Sequence, residues 1–157
     1  MTQSAAVPSK ANVSATDLVT VSRAVADLRR GEIVLVQGQA NGIAHCVAVI
    51  AAEPLSDQGL ARLHDIAGKS GNTAIVLPRV RAKSLGKACK NDHFIAFVSA
   101  KKSGVDAQTL AEIANPLLDL ESMPAGAWRP VTMAESAAIR LAKLARLLPA
   151  VVTAPVE

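Results

Sequence analysis

A chain of 157 residues, half of them apolar, is long enough for one domain to bury roughly two thirds of its unfolded surface, and it contains no apolar run of bilayer-spanning length. With 2% aromatic residues and no tyrosine, it has few rings for stacking bases, so the core must be built from Ala, Val, Leu and Ile, and a net charge of +4 gives only mild attraction to anions. Two cysteines, Cys46 and Cys89, and a polar start without the charged-then-apolar pattern of a secretory leader predict a reducing, cytoplasmic setting.

Residues 1–15 are small, polar and without periodicity, which predicts a flexible arm ahead of a single domain over residues 16–157. Val21, Val25 and Leu28 follow helical spacing, and Arg29-Arg30-Gly31 supplies the basic residues and glycine of a helix end. Residues 32–36 and 44–51 are rich in β-formers and predict a hairpin with a longer loop containing two glycines. Ser56 can cap a helix with Leu60, Leu63 and Ile66 on one face, ending before Gly68. Residues 73–77 read as a buried strand stopped by Pro78, and residues 94–99 as the next strand. Asp106 caps a helix that runs through Ile113 and is terminated by Pro116.

The last third repeats the logic. Residues 128–131 predict a short strand, and Thr132-Met133-Ala134-Glu135 fits a capping box. The helix it opens should face inward with Ala138, Leu141, Leu144 or Ala145, and Leu148, and should close at Pro149 before a strand over residues 150–156. Alternating helices and strands predict an α/β (α+β) fold, a mixed twisted sheet with helices packed against it, in which one hairpin breaks a parallel pattern.

Arg79, Arg81, Lys83, Lys87 and Lys90 lie close together without an acid, and Lys101-Lys102 follow a nearby strand. Of these, Arg79, Arg81, Lys83, Lys87 and Lys102 are the candidate phosphate or nucleotide ligands, and an RNA backbone is the polymeric alternative. The competing reading is a solvated basic face, and the scarcity of rings makes nucleic acid an unfavoured partner. Cys89, Asp92 and His93 would join His45-Cys46 in a soft-metal site only if the two segments met, so no metal and no cofactor is expected. A repurposed enzyme would draw on His45, Cys46 and Glu135. His64 beside Asp65 reads as a surface pair, Arg140, Lys143 and Arg146 as the exposed side of the last helix, and Trp128 as a buried domain or dimer contact.

Three stretches, AVADLRRGEIVLV leading to VAVIAAE, then AIVLPRVRAKSLG, then AAIRLAKLARLLPAVV, resemble in order and spacing the 3,4-dihydroxy-2-butanone 4-phosphate synthases of riboflavin biosynthesis, over residues 21–156. The resemblance implies the butanone-phosphate-synthase fold. It also implies a hairpin loop of the form Asp-Arg-Glu-Asn-Glu-Gly-Asp that holds magnesium and a ribulose phosphate, because hard cations take oxygen ligands, preferably anionic. The matching residues 37–47 carry no acid; Asn41 and Gly42 alone echo the motif. The His-Thr-Glu of the family's Gly-His-Thr-Glu turn falls on Ala134, Glu135 and Ser136, so its histidine is gone and its glutamate displaced or lost. Its Thr-Thr-Gly turn and Asp-Arg pair fall on Lys102-Ser103-Gly104 and Thr109-Leu110, and its strand cysteine falls near Ala74. Gln37, Asn41, Ala74, Ala134 and Ser136 therefore mark a degenerate former site, with no catalytic residue expected. The resemblance extends to pseudoenzyme domains fused ahead of GTP cyclohydrolase II, which implies an assembly role, a homodimer, and a GTP cyclohydrolase II domain as possible partner.

Overall fold

Strands that are apolar on both faces must be covered on both, and this chain meets that demand with a six-stranded sheet between two helical layers. The computed structural model describes residues 13–68, 72–90, 92–101 and 104–156; most of the arm expected over residues 1–15 lies outside them. The elements in chain order are α1 (Ala15–Arg29), β1 (Val34–Ala40), β2 (Ile43–Ala51), α2 (Asp57–Ala67), β3 (Ala74–Pro78), α3 (Arg79–Ser84), β4 (Phe94–Ser99), α4 (Ala107–Ala114), β5 (Gly126–Arg129), α5 (Met133–Leu144) and β6 (Val151–Val156).

The strands lie in the order β1-β2-β6-β3-β4-β5, and every pairing is antiparallel. This corrects the expected parallel pattern. Helix–strand alternation requires crossovers, but it does not say whether a later strand slips between two earlier ones. Here β6 inserts between β2 and β3, so those two run in the same direction without touching.

Period-two alternation then sorts the core. Ala48, Ile50, Ile75, Leu77, Phe97, Val152 and Ala154 face α2 and α4, through Leu60, Leu63, Leu110 and Ile113. Val47, Val49, Ala74, Val76, Phe94, Ala96 and Val151 face α1 and α5, through Leu28, Ala134, Ala138, Ile139 and Ala142. The helix starts follow their caps. Ser14 and Thr132 form capping boxes with Asp17 and Glu135, while Ser56 and Asp106 each accept from the third residue inside the helix.

Several inward faces differ from the sequence expectation. Ile66 is 42% exposed, and Ala67 takes its place on the buried side of α2. In α5 the buried stripe is Ala134, Ala138, Ile139 and Ala142, with Ala145 just beyond, whereas Leu144 is 64% exposed. Small side chains let this helix lie close to the sheet, so of the expected face Ala138 and Ala145 are buried and Leu141 packs beside them, while Leu144 points out. Nor does Pro149 end α5. The chain turns at Arg146, whose φ is +57°, after Ala145 has offered its carbonyl to Arg29 Nε at 2.8 Å. The short α3, absent from the sequence reading, follows directly from Pro78.

The hairpin also departs from expectation. β1 continues to Ala40 and β2 begins at Ile43, so the connection is the tight turn Asn41-Gly42, with φ of +53° and +78°. Two positive φ angles are the signature of a type I′ turn, which Asn-Gly favours strongly. Behind it, Gly38 lies flat on the start of α5: a Cβ there would sit 2.7 Å from the Ala134 nitrogen. A Cβ on Gly42 would meet open space. Gly38→Ala should therefore destabilise by about 2–3 kcal/mol through overpacking against backbone, and Gly42→Ala by only about 1 kcal/mol through left-handed strain. Denaturant unfolding of both variants checks this; equal losses would contradict the close packing of β1 on α5.

Candidate functional site

The sequence marks the region where the hairpin, the start of α5 and the end of β6 meet. Gly38 faces Ala134, and Ala74 lies opposite Thr153 in the sheet beneath the same helix. Ala74 and Ala134 are buried, and Ser136, in the first turn of α5, is half-buried. Gln37 is exposed and, one residue from Gly38 along the strand, belongs to the opposite face; Asn41 is at the turn. The structure thus brings Ala74 and Ala134 together and separates Gln37 from them.

The chemistry concentrated here is a single carboxylate. Glu135 is 2% exposed, and each of its oxygens is spoken for. Oε1 accepts from Arg129 Nη2 at 2.7 Å and from Thr153 Oγ1 at 2.9 Å; Oε2 accepts from Arg129 Nη1 at 2.8 Å and from the Thr132 N–H at 2.9 Å. Burial, the largest single influence, pushes the Glu135 carboxyl up. The Arg129 hydrogen bonds, the Thr132 N–H, the Arg129 charge and the Thr153 hydroxyl together outweigh it and hold the group below the usual carboxylate range. Arg129 is raised in turn by its hydrogen bonds to Glu135, against its own desolvation. A carboxylate so fully engaged is a structural anchor, without a lone pair left for a substrate or cation.

The other candidate groupings do not form. His45 and Cys46 are adjacent on β2 and so face opposite sides of the sheet. Cys89 is buried with Ala82 and Ile95 beside α3, its Sγ 3.7 Å from the Lys87 carbonyl, toward the other edge of the sheet from the hairpin. Among the described residues no three His, Cys, Asp or Glu side chains come together as a metal site. Trp128 is half-buried on the edge strand β5 and packs edge-to-face on Phe97 with centroids 5.1 Å apart.

The basic segment divides. Arg81 is buried and donates to the carbonyls of Ile113 at 2.8 Å and Glu112 at 3.1 Å, closing the end of α4. It is a helix C-cap, and sequence alone does not distinguish it from its solvated neighbours. Lys83 is exposed, Lys87 half-exposed, and Lys102 lies outside the described residues. Arg79 is half-buried and lines a cavity of about 420 Å³ with His93, Phe94, Arg140 and Lys143. The last two were read only as an exposed helix side, because nothing in sequence places β4 beside them. His64 reaches Thr73 Oγ1 at 3.4 Å on the opposite layer.

Solved structures similar in fold to this chain include 3,4-dihydroxy-2-butanone 4-phosphate synthases. The Candida albicans synthase matches with TM-score 0.62 and 21% identity, over 87% of this chain and 79% of that one. A two-domain synthase from A. baumannii matches with TM-score 0.63 and 21% identity, over 87% of this chain and 47% of its own length. A synthase in complex with two magnesium ions matches with TM-score 0.62 and 16% identity, over 87% and 74%. No protein-family model and no curated protein matches the chain by sequence. At such identities the likeness is one of fold. No helix among the described residues is long and apolar enough to cross a membrane.

The Glu135 anchor carries a pH signature. Its folded-state pKa is depressed, so the stability it contributes is fully present above the unfolded carboxyl value of about 4.3 and is lost as pH falls through the lower folded value. Asp17 and Asp106, both exposed caps, are lowered by hydrogen bonds from Ser14 and Thr109 and act in the same sense. Glu135→Gln should cost about 3 kcal/mol at neutral pH, because Arg129, 39% exposed, softens the penalty of a fully buried broken pair. Melting curves from neutral pH down into the acid range should converge for wild type and variant; parallel curves would remove Glu135 from this role.

Proposed function

We propose that the chain is a catalytically degenerate synthase-like domain of a riboflavin-biosynthesis GTP cyclohydrolase II protein. Its role is to fold, self-associate and support the cyclohydrolase partner rather than to make butanone phosphate. The single observation that carries this reading is the hairpin: a tight uncharged Asn41-Gly42 turn stands where the resemblance calls for an acidic magnesium loop. The donors nearby are the Gln37, Gln39 and Asn41 amides, His45 and Cys46, while Glu135 is fully engaged by Arg129, Thr132 and Thr153. Neutral amide oxygens, an imidazole and a thiol supply no anionic oxygen, and without a carboxylate the set is a poor match for a hard divalent cation.

Support also comes from the close approach of Gly38 to Ala134, which fills with backbone contact the space beside the helix start. The uncovered sheet edge at β1 and the exposed Leu35 and Ile43 suit a self-associating domain. The basic segment gives less support to a nucleotide- or RNA-binding module, since Arg81 is consumed inside the fold.

Purified chain incubated with ribulose 5-phosphate and magnesium is expected to leave the sugar phosphate unconverted. Turnover above background, lost on chelation, would overturn the non-catalytic reading. Light scattering of the same sample is expected to give the mass of a dimer.

A further inference from the structure

Two hollows adjoin beside α5, of about 420 Å³ and 240 Å³, and share His93, Phe94 and Arg140. Together they make a groove between the outer side of α5 and the neighbouring ends of β3 and β4. Its cations come from separate parts of the chain. Arg79 enters from the first turn of α3, and its N–H donates to the His93 carbonyl at 2.9 Å, which ties the start of α3 to the start of β4. Arg140 and Lys143 stand three apart on α5 and so on one side of it. Both lean over the buried Phe94 ring, with Arg140 Cζ 6.0 Å and Lys143 Nζ 5.1 Å from its centroid.

This concentration of charge is uncompensated. The ion pairs among the described residues are Arg30 with Asp27, Arg62 with Glu32 and Arg129 with Glu135, and none involves a groove cation. Arg79 makes only a long contact, 3.4 Å, to the Lys90 carbonyl. Asp92 is the one carboxylate lining the groove, and it borders only the smaller hollow. Holding like charges around one concavity without acids costs self-repulsion, which an anion would relieve.

We propose that this groove is a binding site for a small phosphomonoester, its dianion held by Arg79, Arg140 and Lys143 with His93 at the rim. Arginine at two of the positions suits bidentate recognition of phosphate oxygens, and the lysine adds a point charge. The apolar wall of Pro78, Val80 and Phe94 can cover the carbon part of a sugar-sized ligand. A nucleic-acid strand fits less well. The groove's one phenyl ring, Phe94, is buried beneath the cations and offers no face to a base, which leaves only the His93 imidazole at the rim, and the charge converges on one spot instead of tracking along a surface. Arg79, Arg140, Lys143 and His93 lie outside the hairpin and the Glu135 cluster, and of the former-site positions only Ser136 borders the smaller hollow, so the proposal does not depend on whether the domain is catalytic.

The test is calorimetric titration of the whole chain with ribose 5-phosphate and, separately, inorganic phosphate, at low and at near-physiological salt. Saturable one-to-one binding of ribose 5-phosphate is expected at millimolar Kd or tighter, weaker at the higher salt. The exposed double variant Arg140→Gln/Lys143→Gln should lose at least about tenfold in affinity with an unchanged melting temperature. Lys83→Gln/Lys87→Gln, which changes cations outside the groove, should bind as wild type. Backbone amide shifts on titration should centre on residues 79, 93, 94, 140 and 143. Absence of binding, equal binding by the α5 double variant, or shifts centred elsewhere would overturn the proposal. So would tRNA that binds far more tightly than ribose 5-phosphate and displaces it, since the groove would then be part of a polymer track.

Discussion

A buried carboxylate must be matched hydrogen bond for hydrogen bond, and the way Glu135 meets that requirement organises much of this domain. Its partners are Arg129 at the end of β5, Thr132 at the helix start and Thr153 in β6. β5 is an edge strand and β6 is internal, with β3 and β4 between them. One side chain therefore ties an edge of the sheet to its centre across the layer where α5 packs. Without the carboxylate, the buried Thr153 hydroxyl would lose its acceptor and Arg129, which is part-exposed and also donates to the Pro130 carbonyl, would lose its counter-charge. Among the described residues no buried side-chain nitrogen or oxygen lacks a partner, which is the condition a polar cluster must satisfy to stabilise a core.

That anchor fixes where α5 begins, and the alanine stripe behind it fixes how closely the helix lies. Ala134, Ala138 and Ala142 are fully buried and bring the helix axis near the sheet. Close packing then leaves no room for a side chain at position 38 of the facing strand, so Gly38 and Ala134 act as one steric unit. The far end of the same helix is held by Arg29 on the Ala145 carbonyl and by Glu53 on the Leu148 N–H at 2.6 Å. Both contacts join segments distant in sequence, which is why α5 is fixed at each end and not merely laid on a greasy surface.

Elements with a local cause were legible in the sequence. The caps at Ser56, Asp106 and Thr132 and the strand Phe94–Ser99 depend on side chains near their own backbone, and they stand where the residues place them. What escaped depended on partners far along the chain. Strand β6 between β2 and β3 is a matter of tertiary pairing, invisible to periodicity. Arg81 looks like its neighbours until α4 arrives to use it, and Arg140 and Lys143 look like a plain wet face until Arg79 and Phe94 appear beside them. The hairpin is a different kind of miss. Asn41-Gly42 is a strong local signal for a tight turn, but Gln37, Gly38, Gln39 and Asn41 are poor β-formers, so strands read from β-rich runs alone stop short and leave too long a loop between them.

α5 therefore carries distinct kinds of charge along its length, and the difference is physical. Near its first turn a buried carboxylate meets the positive end of the helix and a part-exposed arginine, and all of its own hydrogen-bonding capacity is used internally. Further along, Arg140 and Lys143 are exposed, lie over an aromatic ring and have no carboxylate partner among the described residues. Charge that is fully paired and buried stabilises the fold and has little left to offer a ligand. Charge that is exposed, convergent and unpaired contributes little to folding and keeps its capacity to bind. By that criterion the residues around Glu135 belong to the scaffold, and the capacity for recognition in this domain lies with Arg79, Arg140 and Lys143.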